Sequence, residues 1–177
     1  MSDVSYRRLM DWDIEQTAFD EFVELNKGTA TALYQMTDNG FAGPSPLGPA
    51  GSMCAPTNTN GIFGPCDHGG LFDFNFGTLG NLDKKFFRIY YGAADNRASM
   101  LASLGAVGVE AYSMAWCNPS SGYVYPGGSV CNGSDDTTFG FGFKGIGGDP
   151  IVSPEPASFA LMGTGLVGLL AIRRRRA

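Results

Sequence analysis

The sequence predicts a mainly β protein: an antiparallel β-sandwich with one short helix, followed by a C-terminal transmembrane helix. Three observations carry this. Period-two alternation recurs along the chain, most clearly at residues 71–78 and 137–144. Helical spacing with a start and a stop signal is visible once, at residues 97–104, whereas a parallel α/β fold needs several crossover helices. Residues 157–172 carry no charge, are mostly apolar, and run into a block of arginines.

The first strand is expected over residues 5–12, where Tyr6, Arg8, Met10 and Trp12 alternate with Ser5, Arg7, Leu9 and Asp11. Residues 13–25 have helical propensity, with Ala18, Phe19, Phe22 and Leu25 on one side. The strands around them favour a strand over 17–25 instead, ended by Gly28. Residues 29–36 read as the next strand. Residues 38–70 form a long irregular segment rich in Pro, Gly and Asn. Connections of that length are uncommon without a constraint, and Ile62-Phe63 adds a short edge strand. In residues 71–78, Phe72, Phe74 and Phe76 face away from Asp73, Asn75 and Gly77. Gly80-Asn81 is a turn. Residues 85–91 have large apolar groups on both sides, which predicts a central strand. Asp95-Asn96 opens the helix over 97–104, and Gly105 closes it. Strand character returns over 107–116. A polar loop follows at 117–136, then a last strand at 137–144 with Phe139, Phe141 and Phe143 on one face. Gly140 and Gly142 leave its other face bare, either to solvent or to a close neighbour. Residues 145–151 lead into a linker. The organisation expected is a sandwich domain at 1–147, a linker at 148–156, and a membrane helix with a basic end at 157–177.

Charge excludes one function class. Lys and Arg number only 12, and Arg173, Arg174, Arg175 and Arg176 are four of them. The formal net charge is −5, and about −9 without those four. Nucleic-acid binding needs a basic footprint that this domain lacks.

Cys54, Cys66, Cys117 and Cys131 are even in number, which suits disulfides in an exported chain. Of three pairings, Cys54–Cys66 and Cys117–Cys131 are favoured, because each encloses a short Gly/Pro/Asn-rich loop. Each would contribute about 3 kcal/mol on the chain-entropy account. Free thiols are the alternative.

Candidate chemistry is sparse, and no catalytic, cofactor or metal site is assigned. His68 is the only histidine, next to Asp67, and could be a general base, though a loop histidine or a turn hydrogen-bonder is the plainer account. No nucleophile can be paired with it. Cys54, Cys66 and His68 lack a fourth metal ligand. Asp11, Asp13 and Glu15 recur at period two and could offer oxygens to Ca²⁺, as could Asp135-Asp136, though neither has a Ca²⁺-loop spacing. The plainer account of the first group is a solvated edge, or acidic partners for Arg7 and Arg8. The Phe-rich strands are core. Tyr123 and Tyr125 could stack on sugars.

The tail has three parts in order. Ser153-Pro154-Glu155-Pro156 cannot continue a helix. Residues 157–172 would rise about 24 Å as a helix, short of a hydrocarbon core of about 30 Å, but flanking arginines can snorkel. Arg173 to Arg176 then mark the inner side. This order resembles the PEP-CTERM sorting signal of exported bacterial proteins. The resemblance implies export, transient anchoring in inner-membrane lipid, and recognition of the Pro154-Glu155-Pro156 region by an exosortase, a membrane cysteine protease-transpeptidase. The rest of the chain more weakly resembles a domain found in such proteins. That likeness is carried by Tyr6-Arg7-Arg8-Leu9-Met10-Asp11-Trp12-Asp13, by Cys66-Asp67-His68-Gly69 with Leu71-Phe72-Asp73-Phe74, and by Phe87-Arg88-Ile89-Tyr90-Tyr91-Gly92-Ala93-Ala94. It implies an extracellular sandwich of unassigned function. Such domains normally follow a signal peptide and earlier strands. Residues 1–16 hold no apolar h-region, and no apolar stretch follows Arg7-Arg8, so a start upstream of Met1 is expected.

The function expected is that of a non-enzymatic surface or extracellular-matrix protein, with no cofactor. It would be delivered to the cell surface or beyond by its tail, with an extracellular polysaccharide as a further candidate partner. The alternative is a secreted ligand- or carbohydrate-binding module, or a hydrolase, carrying the same tail.

Overall fold

The structure is a computed structural model that describes residues 2–15, 17–121 and 131–151. The protein is mainly β, with two antiparallel sheets and one short α-helix among the described residues. Strands β1 (Ser5–Asp11), β5 (Gly69–Asn75) and β3 (Leu33–Thr37) form one sheet, in the order β1-β5-β3. The other holds β4 (Gly61–Cys66), β2 (Glu21–Asn26), β7 (Ala111–Trp116), β8 (Thr138–Lys144) and β6 (Arg88–Ala94), in that order.

The alternation of phenylalanines decides how the sheets meet. Phe72 and Phe74 of β5 turn inward onto Phe141 and Phe143 of β8, and all four are fully buried. The Phe74 and Phe143 rings are 4.7 Å apart, edge to face. Trp12 closes one end of this core, its indole N–H donating to Ser113 Oγ at 2.9 Å.

A second core lies on the outer face of the larger sheet, under helix α1 (Arg97–Val107). Met100 and Leu104 of the helix pack on Val109, Tyr112, Met114 and Trp116. The close neighbour of the Gly140 and Gly142 face is therefore this layer. A Cβ on Gly142 would meet Val109 Cγ1 at 2.8 Å, and one on Gly140 would meet Met100 Cε at 2.8 Å.

Several sequence expectations are corrected. β6 is an edge strand, not a central one. Its two apolar faces arise because Ile89, with Phe87 just before the strand, meets the main core while Tyr90 and Ala94 meet the helix layer. It still has β8 as its only neighbour in the sheet. Gly105 does not end the helix. Asn96 caps its start, accepting the Ser99 N–H at 2.8 Å, and Gly108 ends it in the left-handed region at φ 69°. Val107 is therefore helical, and the next strand begins only at Ala111. The strand expected from residue 29 begins at Leu33. Phe139 is not core like Phe141 and Phe143, being 42% exposed.

Of the residues 17–25 expected as a strand, Glu21 to Leu25 lie in β2, and Ile62-Phe63 belongs to the edge strand β4. Residues 145–151, expected to begin a linker, are docked on the fold. Ile146 is fully buried, and the Ile151 N–H donates to Val109 O at 2.7 Å. The apolar segment 157–172 and the arginine block lie outside the described residues. Among those described, no helix is long and apolar enough to cross a membrane.

Candidate functional site

The chain passes from one sheet to the other between β4 and β5, and Asp67 and His68 form that crossover. The His68 side chain is fully buried. Its Nδ1 lies 2.9 Å from Asp38 Oδ2, its backbone N–H donates to Glu21 Oε1 at 2.8 Å, and its carbonyl accepts the Trp12 N–H at 3.0 Å. Asp38, just after β3, also accepts the N–H groups of Met53, Cys54 and Ala55 at 2.7–2.8 Å. Burial alone would raise the Asp38 carboxyl. The His68 hydrogen bond and these backbone donors outweigh it and hold the carboxyl below its ordinary value. With an ionised acceptor facing it, Nδ1 carries the hydrogen. Glu21 is the opposite case. It is fully buried, its Oε2 has no partner, and burial pushes it up to about 7.

His68 is not paired with Asp67 here. Its partner is Asp38, thirty residues away, and no solvent or substrate reaches the ring. The Cys54, Cys66 and His68 metal set is also excluded. Cys54 is bonded to Cys66, as Cys117 is to Cys131, so neither pair offers a thiolate.

Asp11 and Asp13 come together with Asp67, not with Glu15. One carboxylate oxygen from each lies within 4.8 Å of the others. This is the described group whose ligand types and spacing would suit a cation. Burial first, then Asp13 and Asp67, push the Asp11 carboxyl up. Glu15 and Asp136 instead line a neighbouring cleft of about 450 Å³, with Asp11, Asp13 and Phe139. Asp135 ends a short 3-10 turn, Gly133–Asp135. Neither Arg7 nor Arg8 pairs with these acids. Arg7 is bound to Asp73, and the Arg8 guanidinium lies 5.2 Å from the centre of the Tyr91 ring. Tyr123 and Tyr125 lie outside the described residues.

Asp38 and Glu21 escape sequence reasoning. Glu21 had a signal, since it shares the period-two positions of Val23 and Leu25, and all three are buried. Asp38 had none, because its partners come from residues 53–55 and 68.

The remaining candidates, Pro154, Glu155, Pro156 and Arg173 to Arg176, lie outside the described residues. Residues 154–176 match the family model of the PEP-CTERM protein-sorting motif. The chain carries a PEP-CTERM sorting tail. That tail is a sorting signal without catalytic chemistry of its own, and it is the mark of exosortase-dependent exported and surface proteins. No curated protein and no solved structure matches the chain. The PEP-CTERM match covers residues 154–176.

Proposed function

We propose that this is a non-enzymatic exported protein of the cell surface or extracellular matrix. Its sandwich, residues 1–147, works outside the cytoplasm. Residues 157–172 hold the precursor in inner-membrane lipid, with Arg173, Arg174, Arg175 and Arg176 on the cytoplasmic side. An exosortase then acts near Pro154-Glu155-Pro156. The observation that carries this reading is the PEP-CTERM match at 154–176. Both cysteine pairs being bonded suits an oxidising compartment.

The test is expression of the complete reading frame in a host with and without its exosortase, followed by fractionation and intact-mass measurement. The expected result is a membrane-bound precursor without the exosortase. With it, the product is a released or surface form that has lost the mass of the tail. A full-length product, soluble in the cytoplasm in both hosts, overturns the reading.

The cleft beside Phe139 favours a second reading, a binding module for an extracellular polysaccharide delivered by the same tail. An exposed aromatic ring next to carboxylates suits sugar hydroxyls. Retardation by a soluble polysaccharide in affinity electrophoresis, lost in Phe139→Ala, would support it. Equal mobility of both proteins would remove it.

A further inference from the structure

Three ionisable side chains lie sealed inside this sandwich where its sheets are joined. Glu21 opens β2 in the larger sheet, Asp38 follows β3 in the smaller one, and His68 lies on the crossover between them. All three are fully buried. The hydrogen bonds run from the Glu21 carboxyl to the His68 N–H, and from the His68 ring to Asp38. They continue from Asp38 to the backbone of residues 53–55 in the long segment 38–70. The chain of contacts is lopsided. Asp38 is satisfied by four donors. Glu21 has one donor on Oε1, while Glu21 Oε2 and His68 Nε2 have no partner.

We propose that Glu21, His68 and Asp38 form a proton-operated latch: while Glu21 is neutral the segment 38–70 is held onto both sheets, and when Glu21 loses its proton the hold on His68 and residues 53–55 loosens.

The reason is solvation. A neutral carboxyl is tolerated in a dry interior, and an anion with one oxygen left without a partner is not. The groups facing Glu21 make matters worse. Asp67 on the crossover opposes its ionisation. Asp11 and Asp13 stand beyond Asp67 in the same acidic group. Asp38 is already charged. Asp20, next in the chain, turns its carboxylate to Asn118. None of the ion pairs among the described residues reaches Glu21. The folded protein therefore relieves an ionised Glu21 by admitting water, and the opening falls on the contacts that Glu21 and His68 make. Burial places the change near pH 7. A folded value raised above the ordinary 4.5 means the latch is closed on the acid side and opens as pH rises.

The test is hydrogen exchange on the intact chain from pH 5 to pH 9, read as protection factors so that the intrinsic base-catalysed rate is removed. The amides of Met53, Cys54, Ala55 and His68 are expected to lose tenfold or more of their protection between pH 6 and pH 8. Glu21→Gln keeps the shape and the acceptor for the His68 N–H without the titration, and its protection should stay flat. Asp67→Asn removes the charge that opposes ionisation of Glu21, so Glu21 should lose its proton more readily and the midpoint of the loosening should move to lower pH. Flat protection in the native protein overturns the proposal, as does a loss in Glu21→Gln equal to the native one. If Glu21→Gln does not fold, an Asp67→Asn midpoint identical to the native one overturns it by itself.

Discussion

Arg7 and Asp73 stand directly opposite each other in the β1–β5 ladder and close a two-pronged ion pair, Nε to Oδ1 and Nη2 to Oδ2, each at 2.7 Å. The side chains are 5% and 0% exposed. Gln35 on β3 donates to the same Asp73 Oδ2 at 2.6 Å, so one carboxylate ties all three strands of its sheet. Arg7 also donates to the carbonyls of Gly43 and Gly48, which fastens the long segment to the outer face. Removing one partner of such a pair strands a buried charge. Arg7→Met should cost about 3–5 kcal/mol. The double change Arg7→Met with Asp73→Leu should recover much of that, because no charge is then stranded. Urea unfolding of the three proteins checks this, and a double variant as unstable as the single one would contradict it.

Glu110 gives a pH prediction of the opposite sign to Glu21. Its carboxylate accepts the N–H groups of Gly145, Ile146 and Gly148 at 2.7–3.0 Å, which docks residues 145–148. Burial would raise this carboxyl, but the backbone donors win and hold it below its ordinary value. A lowered folded value means stability that is complete above the ordinary 4.5 and is lost as pH falls through the folded value. Glu110→Ala should cost about 1–3 kcal/mol at neutral pH. The gap between it and the native protein should shrink below pH 4. Thermal unfolding from pH 3 to pH 7 measures both.

The strands were legible where one physical signal was enough. Phe72 and Phe74 alternate because they face a core, and the period is visible without any partner. The errors fall where a second element intervenes. β6 looks central because a helix covers what would otherwise be its wet face, and periodicity cannot tell a covering helix from a second neighbouring strand. Gly105 has the right residue type for a helix end, but Gly108 takes the left-handed conformation, a choice made by the return into β7. The site was less legible than the fold. Asp67 and His68 are neighbours in the chain, yet their side chains serve different groups. Asp38 and His68 meet only because β3 and β5 are neighbours. The tail was the most legible part, since its signal is local and linear.

The two bare glycines of β8 differ in what presses on them. At Gly142 a new Cβ meets Val109 Cγ1 at 2.8 Å, Val109 Cβ at 3.1 Å and the Ala111 carbonyl oxygen at 3.2 Å. A β-branched side chain and a backbone atom have little room to move. At Gly140 the nearest atom is the end of the Met100 side chain, which can swing aside. Gly142→Ala should therefore cost about 1–3 kcal/mol, and Gly140→Ala less. Urea midpoints of the two variants rank them, and the reverse order would mean that the helix layer is looser than its packing suggests.

The disulfides join stability to location. Cys54–Cys66 and Cys117–Cys131 span 12 and 14 residues. By chain entropy each should contribute about 3 kcal/mol. Replacing either pair by alanine should lower stability by similar amounts, because the loops they close are similar in length. The local effects should differ. Without Cys54–Cys66, residues 53–55 still keep their three hydrogen bonds to Asp38, so their amides should stay protected under native conditions. Adding Asp38→Asn to that variant should release them. Thiol alkylation followed by intact mass then ties the same residues to compartment. Protein that has been exported should take up no label until reduced, and protein retained in the cytoplasm should take up four. Four labels on the surface form would mean that the bonds contribute nothing to the working protein, and the sandwich would have to stand on its aromatic core and buried ion pairs alone.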